Sequence, residues 1–347
     1  MSICIPNYNY GQYLRHCLDS VIAQTYSNIE VIIQDNASTD DSYEIITEYQ
    51  SKYLRGESGV YIDAARNKRN KGSDLNSIIC SSRVEGKYLM FLSSDDAIKP
   101  TFIEKCVKVM EENQNVSMVM VHRDEIDENG NLYETPPFYN TSCIVNGEDQ
   151  AAVFMMAGIA VPSQILQRTE SNRKMNQYRF YQLSVAGDWY NNFLLSCVGD
   201  IAYLKESLCE YRIHTGNETN ESEKNLVGIF EHFIIINAFR STANSIGYRE
   251  AEVRYPKAVE KLGTMCLRYA LKMLQNKEFL SAKKYLHLAP VLKVDIEKDE
   301  MYKKLWNLVE LEGKEQFEEE LNRFERENVL VRTVSYDPPA GYRKLSE

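Results

Sequence analysis

The chain has 347 residues, of which 44% are hydrophobic and 26% charged, with only 16 glycines and 9 prolines. This is the composition of a globular protein of about two domains, and it excludes collagen-like, low-complexity and wholly disordered chains. The net charge of −10 excludes nucleic acid as the main partner, because binding to its phosphates requires a basic surface.

The first part of the chain alternates predicted strands and helices. Apolar, β-branched runs such as Ile29–Ile33 are typical of buried parallel strands. Strands that alternate with helical patterns at this rhythm predict βαβ units and a parallel sheet. The predicted strands are Ser2–Ile5, Ile29–Ile33, Tyr61–Ala64 and Lys87–Leu92, and the predicted helices are Gln12–Gln24, Asp41–Lys52 and Ser73–Ser82.

From about residue 115 the pattern changes to shorter strands, and beyond residue 225 it is helical. A helix is predicted near Asp188–Cys197, and the polar segment Thr215–Lys224 predicts a linker. We therefore predict an α/β domain over residues 1–220, an α-helical domain over 221–334 and an extended tail over 335–347. The shorter strands are predicted at Val116–Val121, Ile165–Gln167 and Ile201–Leu204.

Four polar clusters stand at the ends of predicted strands or in comparable loops: Pro6–Asn9, Asp35–Ser38, Asn70–Gly72 and Ser93–Asp96. Ligands of open α/β sheets bind at the carboxyl ends of the parallel strands, so the clusters predict a shared binding site. The chain has neither of the glycine-rich phosphate loops, GxGxxG and GxxxxGK[ST]. A phosphate ligand would therefore need a metal, and the last cluster offers two adjacent carboxylates suited to Mg²⁺ or Mn²⁺.

With these motifs, the sequence resembles glycosyltransferase family 2, from Ser2 to about Thr219. The resemblance implies a GT-A type, Rossmann-like mixed sheet flanked by helices, here followed by the α-helical C-terminal domain. It implies a metal-dependent, inverting glycosyltransferase that uses a nucleoside-diphosphate sugar, in the first place a UDP-sugar. The motifs that carry it, in family order, are SICIPNYNYGQYLRHCLDSVIAQTY, IEVIIQDNASTDDS, YLMFLSSDDAIKP and GDWYNNFLLSCVGDIAYLKESLCEYRIHTGNET.

The resemblance implies an acceptor hydroxyl on a glycan or a lipid-linked glycan, in bacterial surface polysaccharide or glycoconjugate synthesis. It also implies roles for the residues around the donor. Asp35 would pair with the base. Asn70 and Lys71 are further candidates for donor binding; Lys71 belongs to a basic run that is typical of a solvated face, and it is the member of that run we single out as a candidate phosphate contact. Three residues would line the nucleotide cleft, namely Pro6, Asn7 and Asn9.

The same resemblance implies roles at the reacting end of the donor. Asp95 and His214 would bind the Mn²⁺ or Mg²⁺ ion that bridges the two phosphates, and Asp96 would orient the metal or the ribose. Asp188 matches the base that takes the acceptor's proton. These carboxylates also have plainer explanations, because aspartate is a favoured residue at the start of a helix.

Two residues depart from the family's pattern. Ser93 stands where the first acid of the DxD motif usually stands, and Gly187 stands where an acid often precedes the base. They keep open a catalytically weak nucleotide-sugar-binding subunit that acts through its helices. A sugar nucleotidyltransferase is a further alternative, although Pro6–Asn9 lacks the glycine-rich, basic loop of that class.

The eight cysteines form no CxxC pair, and the opening MSICIP lacks the basic and apolar regions of a secretion signal. No apolar run approaches the roughly 20 residues that span a bilayer. We therefore expect a cytoplasmic protein that contacts the inner face of the plasma membrane at most peripherally. A homodimer could form through the C-terminal helices, where Phe230, Phe233 and Ile234 crowd one stretch.

Overall fold

The computed structural model describes residues 1–54, 59–179, 186–214, 223–328 and 334–345. Of the predicted linker at Thr215–Lys224, residues 215–222 lie outside the described residues. The first part alternates strands and helices as predicted: β1 (Ser2–Asn7), α1 (Gly11–Ile22), β2 (Ile29–Asp35), α2 (Ser42–Tyr53), β3 (Val60–Arg66), α3 (Ser73–Ser81), β4 (Tyr88–Phe91), β5 (Ala97–Ile98) and α4 (Phe102–Glu112).

The next part mixes long and short strands with three helices. Its longest strands, β6 (Val116–Ile126) and β10 (Asp200–Arg212), lie parallel to each other. Both are much longer than predicted, because their later parts carry polar and charged residues instead of an apolar run. The remaining elements are β7 (Leu132–Tyr133), β8 (Cys143–Val145), α5 (Gly147–Met156), β9 (Ile165–Arg168), α6 (Thr169–Met175) and α7 (Gly187–Ser196).

The C-terminal part is helical, as predicted, and a final short strand returns to the sheet. That strand, β11 (Arg343–Lys344), pairs with β8 and lies in the segment predicted as a tail. In the described segments, no helix combines the length and apolar character that a membrane crossing requires. The helices are α8 (Val227–Ile246), α9 (Arg249–Gln275), α10 (Phe279–Leu292), α11 (Glu300–Val309) and α12 (Phe317–Glu327).

All the strands form one mixed sheet in the order β11-β8-β10-β6-β9-β4-β1-β2-β3, with β5 and β7 beside β10 and β6. β1 to β4 are parallel, whereas β9 runs antiparallel between β4 and β6. The register sets Asn7, Asp35 and Arg66 side by side at the ends of β1, β2 and β3. The predicted fold class, a mixed sheet with flanking helices and a helical C-terminal part, is confirmed.

Two large hydrophobic clusters hold the molecule together. One lies under β1 to β4 and includes the side chains of α1 that were predicted to face inward, such as Leu14 and Leu18. The other joins α5 and α7 to the C-terminal helices, so the first 220 residues and the helical part share apolar packing. The domain division at residue 220 stays a prediction.

Candidate active site

A cavity of about 950 Å³ opens at the carboxyl ends of β1 and β4, beside the loops that follow β2 and β3. Its charged carboxylates are Asp95 and Glu128, and no lysine or arginine is among the described residues that line it. Four predicted site residues, Asp35, Lys71, Asp96 and Asp188, do not line the cavity. Six predicted site residues do: Pro6, Asn7, Asn9, Asn70, Asp95 and His214.

Asn7 and Asp35 meet beneath one wall of the cavity, because β1 and β2 end in register. The Asn7 side-chain amide donates to Asp35 Oδ1 at 3.0 Å and to Ser38 Oγ at 3.2 Å. Asp35 is fully buried, and its other oxygen lies 3.3 Å from Arg66 Nε. The buried Asn7 Oδ1 accepts no hydrogen bond from any described residue, although Asn7 is part of the cavity lining.

Asn36 fixes the loop that carries Asn70 and Lys71. Its side-chain amide donates to Asn70 Oδ1 at 2.9 Å, and its oxygen accepts from the backbone N–H of Lys71 at 2.9 Å. Asn70 therefore faces the cavity, whereas the side chain of Lys71 is exposed outside it. The sequence drew attention to Lys71 because of its charge, but the structure uses the backbone of this residue.

Asp95 and His214 are 119 residues apart in the sequence but adjacent in the structure. Asp95 follows β4, and His214 follows β10, which pairs with β5, the short strand that begins two residues after Asp95. His214 Nε2 lies 3.0 Å from Asp95 Oδ2, and both side chains are largely buried. The His214 ring also packs against Tyr10 and Tyr13, at centroid distances of 5.7 and 5.2 Å.

Asp96 points away from the cavity into the protein. Its Oδ2 accepts from Ser163 Oγ at 2.6 Å, and its Oδ1 accepts from the backbone N–H of Arg212 at 2.8 Å. Burial, followed by the neighbouring charge of Asp95, raises the pKa of Asp96 to about 7. Asp96 is therefore placed to support the loop rather than to touch a ligand.

Asp188 lies in the first turn of α7 and is half-buried. Its Oδ1 accepts from the backbone N–H of Trp189 at 2.6 Å. Burial raises the pKa of Asp188 to about 6, while the hydrogen bond from the Trp189 backbone, and after it the positive charge of Arg123, oppose part of this rise. Burial and the charges of Asp96, Asp95 and Asp188 also raise the pKa of Tyr211, which lines the cavity. Asp188 therefore lies near the cavity wall without lining it.

Sequence reasoning missed several tyrosines of the cavity. Tyr10, Tyr13 and Tyr211 line it, and the Arg123 guanidinium lies 4.5 Å from the ring centre of Tyr211. Tyr13 was not distinguishable from a core residue of α1, since its helical spacing fits the buried face. Tyr211 lies in the part of β10 that was not predicted as a strand.

The residues present fit a divalent cation in part. Asp95 and His214 supply one oxygen and one nitrogen donor at the cavity, 3.0 Å apart. Among the described residues, no three His, Cys, Asp or Glu side chains converge to hold a metal. A cation here would take its remaining ligands from water and from a bound diphosphate, as Mg²⁺ commonly does at phosphate sites.

Comparison of the sequence with known proteins identifies the family to which the chain is similar. The sequence pattern of Glycosyl transferase family 2 matches residues 2–177, which is half of the chain. An uncharacterized glycosyltransferase of Nostoc sp. is 30% identical over 221 residues, which are 62% of this chain and 66% of that protein. Glycosyltransferase GlyA of Streptococcus pneumoniae is 29% identical over 233 residues, 62% of this chain and 31% of GlyA. The matches thus span two thirds or less of these relatives.

Solved structures of similar fold include residues 1–349 of TarS from S. aureus. The complex with UDP superposes with a TM-score of 0.56 at 15% identity, covering 97% of this chain and 94% of that one. The complex with UDP-GlcNAc gives a TM-score of 0.55 at 14% identity, with 100% and 99% coverage. At such identity the likeness concerns the fold, and the chain has a GT-A fold with a helical C-terminal part.

Proposed function

Because the chain belongs to glycosyl transferase family 2, we propose that it moves a sugar from a nucleoside diphosphate to an acceptor hydroxyl, with inversion and with a divalent cation. The observation that carries the proposal is the Asp95–His214 pair, which faces a cavity at the carboxyl ends of parallel strands. That edge is where open α/β sheets bind their ligands. The alternative of a catalytically weak binding subunit predicts donor binding without turnover.

The donor is proposed to be a UDP-sugar that lies along Asn7, Asn9 and Asn70. These three side chains line the cavity, and the Asn7 side-chain amide is held by its hydrogen bond to Asp35 Oδ1. The tyrosines of the cavity offer rings for stacking. TarS, with the same fold, has been solved with UDP and with UDP-GlcNAc, which supports a uridine donor here.

Asp95 and His214 are the residues that would hold Mn²⁺ or Mg²⁺. A bound cation stabilises the negative charge that develops on the diphosphate leaving group. The two protein donors sit at the cavity surface, where the phosphates would meet them. Asp96 contributes by holding the loop, and Lys71 remains a proposed contact to phosphate at the rim.

Asp188 is the proposed base. With a pKa of about 6, its carboxylate is mostly ionised at neutral pH and still basic enough to take a proton from an attacking hydroxyl. Half-burial beside Trp189 limits competition from water. The acceptor is proposed to be a glycan or lipid-linked glycan of a bacterial surface polysaccharide or glycoconjugate.

A thermal-shift screen of nucleoside diphosphates and nucleotide-sugars, with and without Mn²⁺, tests the proposal. A ligand that binds the native state raises the unfolding temperature, and we expect the largest rise for a uridine donor with Mn²⁺. An assay for nucleotide released from that donor then distinguishes an active glycosyltransferase from a subunit that only binds the donor. Binding without any release, with candidate acceptors present, would support the weak binding subunit instead.

The cellular setting is also a proposal: a cytoplasmic protein, at most peripheral at the membrane, that dimerises through its C-terminal helices. Phe230 on α8 is 52% exposed, and Phe233 and Ile234 are each 37% exposed. Apolar side chains clustered in this way are typical of contact surfaces. Sedimentation velocity tests the dimer, and liposome flotation that leaves the protein in the unbound fraction would exclude membrane contact.

A further inference from the structure

A buried turn lies directly beneath the loop that carries Asp95. This turn, Pro162–Gln164, leads into β9, which runs antiparallel to β4. The start of β9 therefore lies beside the end of β4, and the turn meets Ser93–Asp96 from below. Ser163, at its centre, is 0% exposed, and its hydroxyl contacts that loop twice.

The Ser163 hydroxyl joins both ends of the loop. It accepts from the backbone N–H of Ser93 at 3.1 Å and donates to Asp96 Oδ2 at 2.6 Å. Removing the hydroxyl leaves a buried N–H and a buried carboxylate oxygen without this partner, and such groups are costly to leave unpaired. A movement of the loop that relieves this cost would displace Asp95, which lies between Ser93 and Asp96.

The same carboxylate connects the loop to the segment that carries His214. Asp96 Oδ1 accepts from the backbone N–H of Arg212 at 2.8 Å, and Arg212 Nε donates to the carbonyl oxygen of Asp95 at 2.9 Å. His214 follows two residues later and meets Asp95 at 3.0 Å. A continuous path of hydrogen bonds thus leads from Ser163 to the Asp95–His214 pair.

The turn itself is held independently of Ser163. Gln164 Nε2 donates to the carbonyl oxygen of Val121 at 2.7 Å, and Gln164 Oε1 accepts from the backbone N–H of Val161 at 3.1 Å. The same oxygen accepts from Arg123 Nη1 at 2.8 Å. Loss of the Ser163 hydroxyl should therefore act on the loop above the turn and leave the turn in place.

We infer that Ser163 is a positioning residue, which holds the Ser93–Asp96 loop so that Asp95 and His214 can bind one cation together. The inference rests on the proposed function, because it assigns a support to the proposed cation site. Partners that orient a metal-binding group from behind typically contribute about 10-fold to 100-fold in metal affinity. We expect a change of that size, although Ser163 does not reach the cavity.

The test is calorimetric titration of UDP with Mn²⁺ into the full chain and its variants. In Ser163→Ala the Mn²⁺-dependent affinity should fall by at least about tenfold. Ser163→Thr, which keeps the hydroxyl, should recover most of it. Ser196→Ala is the matched control, because Ser196 is also 0% exposed and its hydroxyl donates to Phe193 O of α7 at 2.6 Å, away from the Ser93–Asp96 loop.

The outcomes separate this inference from the proposed function. Equal Mn²⁺ affinity in the wild type and Ser163→Ala would overturn the inference and leave the function intact. Equal losses in Ser163→Ala and Ser196→Ala would also overturn it, because they would reflect general destabilisation. A wild type that binds UDP without any effect of Mn²⁺ would contradict the metal-dependent function. A crystal structure of Ser163→Ala gives a second readout. An Asp95–His214 separation that stays at 3.0 Å in this variant would refute the positioning role of Ser163.

Discussion

Asp95 and His214 are the two side chains on which the proposed cation site depends. Asp95→Ala removes one of the two protein donors, so Mn²⁺-dependent binding of UDP should weaken by a factor on the order of 10² or more. Calorimetry measures the change. Asp63→Ala is the control, because Asp63 lies on β3 outside the cavity and pairs there with Arg83. Tight Mn²⁺-dependent binding in the Asp95 variant would show that the ligand lies elsewhere.

Asp188 distinguishes an enzyme from a binder. Asp188→Asn keeps the shape of the side chain and removes its basicity, so transfer should fall on the order of 10²-fold or more while donor binding survives. A turnover assay measures the fall in transfer, and a donor titration measures whether donor binding survives. Lost donor binding with unchanged turnover per bound donor would make Asp188 a binding residue.

The pH dependence of transfer follows from the same carboxylate. A base must be deprotonated to act, and the pKa of Asp188 is about 6. The rate should fall about tenfold per pH unit below that value and level off above it. The residual rate of Asp188→Asn should not show this fall at low pH. Donor binding measured at each pH is the control for a loss of donor affinity. A fall of the rate at low pH that persists in Asp188→Asn would mean that another group titrates.

Single residues of the site were predictable where a strand ends in a polar cluster. Asn7, Asn70 and Asp95 stand at such ends, and the structure places all three at the cavity. Tyr211 and Ser163 were not predictable, because their roles come from neighbours brought in by the sheet order. Nothing in the local sequence indicates that an antiparallel β9 lies between two parallel strands.

Helix α8 shows how one element serves two environments. Phe239 is 0% exposed and stacks on Phe193 of α7, with ring centres 4.0 Å apart, whereas Phe230 is 52% exposed. Phe239→Ala should lower the free energy of unfolding by about 3–5 kcal/mol, because it leaves a cavity between the helices. Phe230→Ala, the control on the same helix, should change it by about 0.5 kcal/mol or less.

Urea denaturation measures both variants of α8. A small loss in Phe239→Ala would mean that α7 and α8 do not pack tightly in solution. A large loss in Phe230→Ala would mean that this side chain is covered, as in a dimer. At this scale the sequence predicted that α8 is a helix but not which aromatic residues face inward, because apolar residues stand on most sides of it.

Apolar runs in the sequence predict the bounds of a short buried strand but not those of a long strand. β2 was predicted within two residues, because every residue of Ile29–Ile33 except Glu30 is apolar and the strand is covered on both faces. For β10, only Ile201–Leu204 was predicted out of Asp200–Arg212. Its later part, KESLCEYR, contains two register shifts against β6, so strict alternation is lost.

At the scale of the whole molecule, apolar packing crosses the predicted domain boundary. α9 packs along α5, and the shared hydrophobic cluster contains Phe154 of α5 as well as Leu267 of α9. The sequence could assign the helical class to the C-terminal part, but not its contacts, because an amphipathic helix does not specify the surface that covers it. The helices support α7, and thereby the proposed base at its start.

This shared packing predicts that the two parts unfold together. The chain contains only 2 tryptophans: Trp189 in α7 and Trp306 in α11. In Trp306→Phe the fluorescence reports Trp189, which lies in α7 and packs against Phe239 of α8, and in Trp189→Phe it reports Trp306 of α11. The two variants should each give one urea transition that coincides with the loss of helical circular dichroism in that variant, since a contiguous apolar cluster couples the parts. An earlier transition at Trp306, while Trp189 still reports a folded environment, would instead mean that residues 1–220 fold as an independent domain.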